Sequence, residues 1–274
     1  MRHPHLTPSL VAIAHGSRDP RAGATIAELL AAARARAAVR GLAGLEIRGA
    51  FLGHAPPAPL QVLSALAGDG GGERDVVVLP LLLTAAYHSS TDIPGVLAEA
   101  TAGLPGLAIR YGEPLGPHPG LVRALERRLA EAGHDPGSDP SRTAVVLASA
   151  GSSQPSANAA IARMAAAWRA GRGWLAVQPA YASAAAPAPA EAVADLLRSG
   201  AERVVVASYL LAPGLFADRI RESSLAAGAA AVSAPLGAAP DVADVLLDRY
   251  QQAAAGGLTQ GDAAQQRDSR VSAR

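Results

Sequence analysis

"LVAIAHGSRDPRAG" (residues 10–23) decides how this chain folds. Leu10 to Ala14 make an apolar run of strand length, and His15-Gly16-Ser17-Arg18-Asp19-Pro20 is rich in turn formers. From Ala24 the apolar spacing turns helical, in "ATIAELLAAARARAAV" (24–39). A strand that passes through a glycine turn straight into a helix opens a parallel α/β unit. Similar runs recur downstream: "DVVVLPLLL" (75–83), "TAVVLASA" (143–150) and "RVVVASYLL" (203–211) are strong strand candidates. "LEIRGAFL" (45–52), "LAIRYGE" (107–113), "WLAVQPAY" (174–181) and "AAAVSAP" (229–235) are weaker ones. Between them "GLVRALERRLAEA", "NAAIARMAAAWRA" and "DVADVLLDRYQQA" carry helical spacing. Strands that are apolar throughout belong to sheets covered on both faces.

The second half repeats the first. "AHGSRDPRAGATIAELLAAAR" aligns with "SAGSSQPSANAAIARMAAAWR", which pairs Gly16-Ser17 with Gly151-Ser152 and Pro20 with Pro155. "FLGHAPPAP" aligns with "YASAAAPAP", "ERDVVVLPLLLTAAY" with "ERVVVASYLLAPGL", and "EPLGPHPGLVRALERRL" with "APLGAAPDVADVLLDRY". Alanine-rich segments match one another cheaply, so each block alone is weak. Four blocks in one order establish a duplication. "AGHDPGSDPSR" (132–142) reads as the linker between the copies, and the polar, aperiodic end after Gln252 as a disordered tail. The expected organisation is an N-terminal domain over 1–136, a repeat over 137–252 and a tail over 253–274.

Composition excludes several classes. The 274 residues carry a formal net charge of +1, so no bulk field draws the chain to nucleic acid or to an anionic membrane. With no cysteine there are no disulfides, thiolate metal sites or cysteine nucleophiles. No apolar run reaches the roughly 18 residues of a membrane span, and the expectation is a cytoplasmic protein. All 24 basic residues are arginine, in a chain rich in alanine and glycine, which is a genome-composition effect. Arginine position therefore carries information and arginine number does not.

Histidine placement is uneven. All seven histidines lie within the first 134 residues. Across the repeat His15 faces Ala150, His54 faces Ala184, His88 faces Phe216 by simple register, and His118 faces Ala239. One copy keeps imidazoles where the other keeps only the scaffold. His15 and His88 both follow strand ends, the edge at which open parallel sheets bind ligands. Neutral imidazoles there suit Fe, Co, Ni or Zn, whereas each taken alone reads equally well as a loop or packed surface histidine. His54 and His118 follow strands too and are possible additional members. His3, His5 and His134 sit in tail or linker sequence and are expected to be solvated. Without H-E-x-x-H a permanent zinc-hydrolase site is unsupported, and two ligands from separate loops would hold a metal loosely enough to pass it on.

"HGSRDPRA", "VVVLPLLLTAAYHSSTDIP" and "EPLGPHP" together resemble the sirohydrochlorin chelatase family, the class II tetrapyrrole chelatases of siroheme and cobalamin synthesis. The likeness runs to about residue 252, with three motifs in the family's order and the family's duplication. It implies two tandem flavodoxin-like domains with parallel sheets, related by a pseudo-two-fold axis in a monomer, with the tetrapyrrole in the cleft between them. It also implies that His15 and His88 bind the incoming metal. Many members carry an acidic residue in the loop after the second strand. Here "FLGHAPP" places Gly53 or His54 there.

On that reading His15 and His88 jointly deliver the metal and accept pyrrole protons. Gly16, Ser17, Arg18, Ser89 and Ser90 hold the polycarboxylate substrate through helix-start N–H groups, hydroxyls and a bidentate guanidinium. Ser17 and Asp19 serve equally well as plain helix caps, and Asp92 reads as the cap of a helix beginning near Ile93-Pro94. No permanent cofactor is expected, and Fe2+ or Co2+ enters as substrate, iron being favoured. Rival readings are a histidine phosphatase, opposed by Ala14 where its arginine belongs, and a dinucleotide enzyme, opposed by the missing G-x-G-x-x-G. A non-catalytic metal or tetrapyrrole carrier stays open, as does cobalt chelation.

Overall fold

The computed structural model describes residues 7–68, 74–84, 92–104, 106–134 and 139–256. The first half runs β1 (Ser9–Ala14), α1 (Pro20–Val39), β2 (Ile47–Phe51), α2 (Pro59–Gly68), β3 (Arg74–Pro80), α3 (Ile93–Gly103), β4 (Leu107–Tyr111) and α4 (Pro119–Glu131). After a 3-10 turn at Pro140–Arg142 the second half gives β5 (Thr143–Ser149), α5 (Pro155–Arg172), β6 (Ala176–Tyr181), α6 (Pro189–Arg198), β7 (Arg203–Tyr209), α7 (Leu215–Ala226), β8 (Ala231–Val232) and α8 (Pro240–Ala255). Each sheet has four parallel strands, ordered β2-β1-β3-β4 and β6-β5-β7-β8. This is the flavodoxin-like 2-1-3-4 order, with four strands to each sheet among the described residues.

Alternate side chains of each strand enter different layers, as a pleated strand requires. Leu10, Ala12 and Ala14 of β1, with Val77 and Leu79 of β3, face a central layer, whereas Val11, Ile13, Val76 and Val78 face the outer helices α2 and α3. The second sheet does the same, with Val145 and Leu147 inward and Ala144, Val146 and Ala148 toward α6 and α7. The central layer holds α1, α4, α5 and α8 and belongs to both sheets. Its helices are exchanged between halves: α4, last of the first half, packs on β7, while α8, last of the second, packs on β3 and β4.

Ion pairs cross between the halves around this layer. Arg36 meets Asp244 and Arg40 meets Asp248 at 2.5 Å, and Arg127 meets Asp241 at 2.8 Å. The Tyr250 hydroxyl donates to Pro8 O at 2.7 Å, so α8 closes against the start of β1.

Two boundaries and the setting of one histidine differ from expectation. The apolar run 75–83 leaves the sheet at Pro80, and Leu81–Leu83 continue as cleft lining. Helix α8 extends to Ala255, so a tail beginning at 253 would start inside a helix; residues 257–274 lie outside the described set. His134 is not solvated: it is 6% exposed, its ring tilted against Trp174 at a centroid distance of 5.4 Å, and its backbone N–H donates to Leu129 O at the end of α4.

Candidate functional site

In each sheet the strand order reverses between the first and third strands, and a crevice opens at their C-terminal ends. His15 stands there, directly after β1. Gly16 follows with φ +89°, and a Cβ on it would lie 1.8 Å from Gly53 O. Only glycine lets the turn approach the β2–α2 loop this closely. The Gly53 N–H donates to His15 O at 3.1 Å and completes the strap between the two loops. The next residue, His54, takes φ +64°, and its ring centroid lies 6.5 Å from that of His15. Both imidazoles are exposed.

The second half reproduces this backbone without the imidazoles. Gly151 has φ +83° and a Cβ position 2.0 Å from Ser183 O, Ser183 N–H donates to Ala150 O at 3.0 Å, and Ala184 takes φ +59°. The turn and the left-handed residue therefore belong to the scaffold. The two histidines are what the first copy adds to it.

Ser17 and Asp19 shape the start of α1. Ser17 Oγ accepts from Asp19 N–H at 3.1 Å, as Ser152 Oγ accepts from Gln154 N–H. Asp19 Oδ1 caps the helix by accepting from Arg21 N–H at 2.9 Å, and hydrogen bonds from Arg21 hold its carboxyl below the usual carboxylate range. Ser17 keeps its own O–H proton to donate. Arg18 is exposed and has no ion-pair partner among the described residues.

Two cavities meet at the junction of the halves. One, of about 210 Å³, joins His15, Gly16 and Ser17 to Leu211, Ala212 and Pro213. The other, of about 280 Å³, joins Ser149–Ser152 to Leu81–Thr84. Each half's glycine turn thus faces the other half's exit from its third strand, and Leu81 and Leu211 line both cavities. Together they form a cleft with pseudo-two-fold symmetry. Tyr209, 2% exposed, reaches across it and donates to Leu83 O at 2.9 Å, so the second half fixes the path by which β3 leaves its sheet. Burial raises the Tyr209 phenol well above its ordinary value, which keeps it protonated as that donor.

His88, Ser89 and Ser90 lie outside the described residues. Asp92 occupies the N-cap position of α3, but its side chain makes no capping bond. His118 serves a different purpose. Its Nδ1 accepts from Gly120 N–H at 3.1 Å as the N-cap of α4, and it lines a separate groove of about 490 Å³ with Met164 and Trp168. Among the described residues no group of three or more His, Cys, Asp or Glu is placed to hold a metal ion. At the crevice the described residues bring together the imidazoles of His15 and His54.

Burial, then the neighbouring Arg249 and Arg123, lower the His118 pKa below its ordinary 6.5, while Asp248 opposes them. The unfolded chain therefore binds a proton between 6.5 and the lower folded value that the native cap resists. Stability should fall as pH drops through this window. His118→Asn keeps a capping side chain and does not titrate, so its melting temperature should lose that part of the pH dependence. An unchanged slope between pH 7 and 5 would show that His118 does not carry it.

A family model described as CbiX matches residues 9–132 and 144–253, one segment on each sheet. The chain belongs to the CbiX family. Among its relatives, a sirohydrochlorin cobaltochelatase of Priestia megaterium is 28% identical over 218 residues, covering 80% of this chain and 69% of that protein. A sirohydrochlorin ferrochelatase of Bacillus subtilis (strain 168) is 27% identical over 196 residues, covering 70% of this chain and 73% of that protein. The solved structure described as SirB from Bacillus subtilis with Fe3+ has the same fold, with a TM-score of 0.75 at 24% identity over 91% of this chain and 96% of that one. Among the described residues of this CbiX protein no helix is long and apolar enough to cross a membrane.

Proposed function

We propose that this chain inserts a divalent metal into sirohydrochlorin, with His15 and His88 as the residues that receive the ion and accept the pyrrole protons. The observation that carries the reading is the His15 turn, set at the crevice between β1 and β3 and opening on a cavity walled by the second half. Insertion releases two pyrrole N–H protons as the ion takes the four ring nitrogens and leaves its protein ligands, so the site needs a base as well as a ligand. A neutral, exposed imidazole is both. His54 joins His15 as a further nitrogen ligand on the strapped loop. Ser17, Arg18 and the N–H groups opening α1 hold substrate carboxylates, with Ser89 and Ser90 assigned the same task.

Fe2+ is the metal favoured from sequence. Co2+ is a second reading, supported by a cobaltochelatase relative that aligns over 80% of the chain and by an imidazole, His54, in a loop where a carboxylate would make a harder site. Anaerobic turnover of sirohydrochlorin with Fe2+ and Co2+, supplied singly and in competition, tests both. A rate above the protein-free reaction is expected, and the preferred ion in competition identifies the physiological metal. Tight binding without any rate gain would make the chain a carrier and overturn the catalytic reading.

A further inference from the structure

Resting on the chelatase reading, the geometry points to the first turn of α7 as the edge that grips the macrocycle. Leu215 and Phe216 cover an apolar face of the tetrapyrrole, and Asp218 holds Arg21 until a substrate carboxylate replaces it.

The turn stands at the cleft mouth. Leu211, Ala212 and Pro213, which lead into it, form the far wall of the His15 cavity. The following Gly214 lies against the cap of α1, since a Cβ on it would be 4.0 Å from the Asp19 carboxylate. Leu215 is then 69% and Phe216 37% exposed. Other large apolar residues are exposed singly, at Val39, Leu175 and Leu225, which is ordinary for a protein surface. Leu215 and Phe216 differ in being adjacent, at the rim of a cavity and on a turn anchored by buried Ala217 and Ile220. Phe216 also occupies the position of His88 in the repeat. Where one copy has an imidazole, the other presents an apolar ring.

Arg21 completes the edge. Its guanidinium takes Asp218 in two contacts, Nη2 to Oδ2 at 2.6 Å and Nη1 to Oδ1 at 3.3 Å, and reaches Asp19 at 2.6 Å. The Arg21–Asp218 pair bridges the halves, and both side chains are about half exposed. Water screens such a pair, so another carboxylate can replace Asp218 at little cost. The arginine fork binds carboxylates two-pronged, and a flat apolar ring system bordered by carboxylates matches an apolar pair beside an arginine.

Equilibrium titration of the full chain with metal-free sirohydrochlorin, read by fluorescence, tests this. Phe216→Ala should weaken binding roughly tenfold, the loss expected when part of a phenyl ring's buried area is removed. Phe216→Leu should recover most of that loss, and unchanged melting of both variants excludes misfolding as the cause. Asp218→Asn should tighten binding by roughly two- to fivefold, a gain that disappears at high salt. Affinity for Co2+ alone should stay at the wild-type value in all three variants. Wild-type binding that neither Phe216→Ala nor Asp218→Asn alters overturns the proposal alone, and weaker binding in Asp218→Asn overturns the exchange at Arg21. A wild-type chain that binds no sirohydrochlorin overturns the chelatase reading and this proposal with it.

Discussion

His15→Ala should lower metal insertion by about 10²–10⁴-fold, the usual contribution of a positioned base. Binding of the metal-free macrocycle should survive, because the carboxylate contacts assigned to Ser17, Arg18 and the start of α1 remain. His88→Ala should behave alike, and the double variant should be little worse than either single one, since groups acting as one unit are not additive. Substitutions at the counterparts Ala150 and Phe216 should change binding or packing without abolishing proton transfer. The measurement is initial insertion rate at saturating macrocycle, with the protein-free rate subtracted. A wild-type rate in His15→Ala would remove His15 from the reaction.

Gly16→Ala should be the most damaging small substitution in the first half. The added methyl would sit 1.8 Å from Gly53 O on a residue with φ +89°, so steric overlap and left-handed strain act together. About 3 kcal/mol or more of destabilisation follows, a loss of roughly 10 °C in melting temperature for a chain of this size. Relief of the overlap requires the Gly53 loop to move away, which separates His54 from His15 and should lower insertion as well. Gly151→Ala meets the same obstruction at Ser183 O, 2.0 Å away, and should lose similar stability. It strains a turn without imidazoles, so it should retain more activity per folded molecule. Equal rates per folded molecule in the two variants would show that the His15–His54 geometry is not what insertion depends on. Wild-type melting in either would show that its loops separate freely.

Much of this architecture was legible because its signals are local. Every strand was marked by its own apolar run, and the repeat was visible because both copies retain the Gly-Ser turn and the proline at the helix start. α2, α6 and α7 were not marked. α2 and α6 run for only ten residues, so their helical spacing (Pro59, Val62, Leu63, Leu66 and Pro189, Ala192, Val193, Leu196) fills less than one reading window, and α7 buries only Ala217, Ile220 and Ser224. His134 was misread because linker composition describes the backbone around it, while its burial is decided by Trp174, forty residues away in sequence. His118 follows a strand just as His15 does. What separates them is the bond from Gly120 N–H to its ring, which no spacing rule encodes. The His15–His54 proximity depends on the strap through Gly53, and the Arg21–Asp218 bridge joins residues that only the pairing of the halves brings together.

The exchange of α4 and α8 between sheets governs how the cleft can move. Spreading the two halves like a book would pull α4 off β7 and α8 off β3, tearing an apolar layer that both sheets share. That would cost a large part of the whole chain's stability. The base of the cleft is therefore a fixed spine. On the proposed chelatase reading a flat ring slides in edgewise and leaves by the same slot, and the lips above the spine, the His15 turn and the first turn of α7, accommodate its passage.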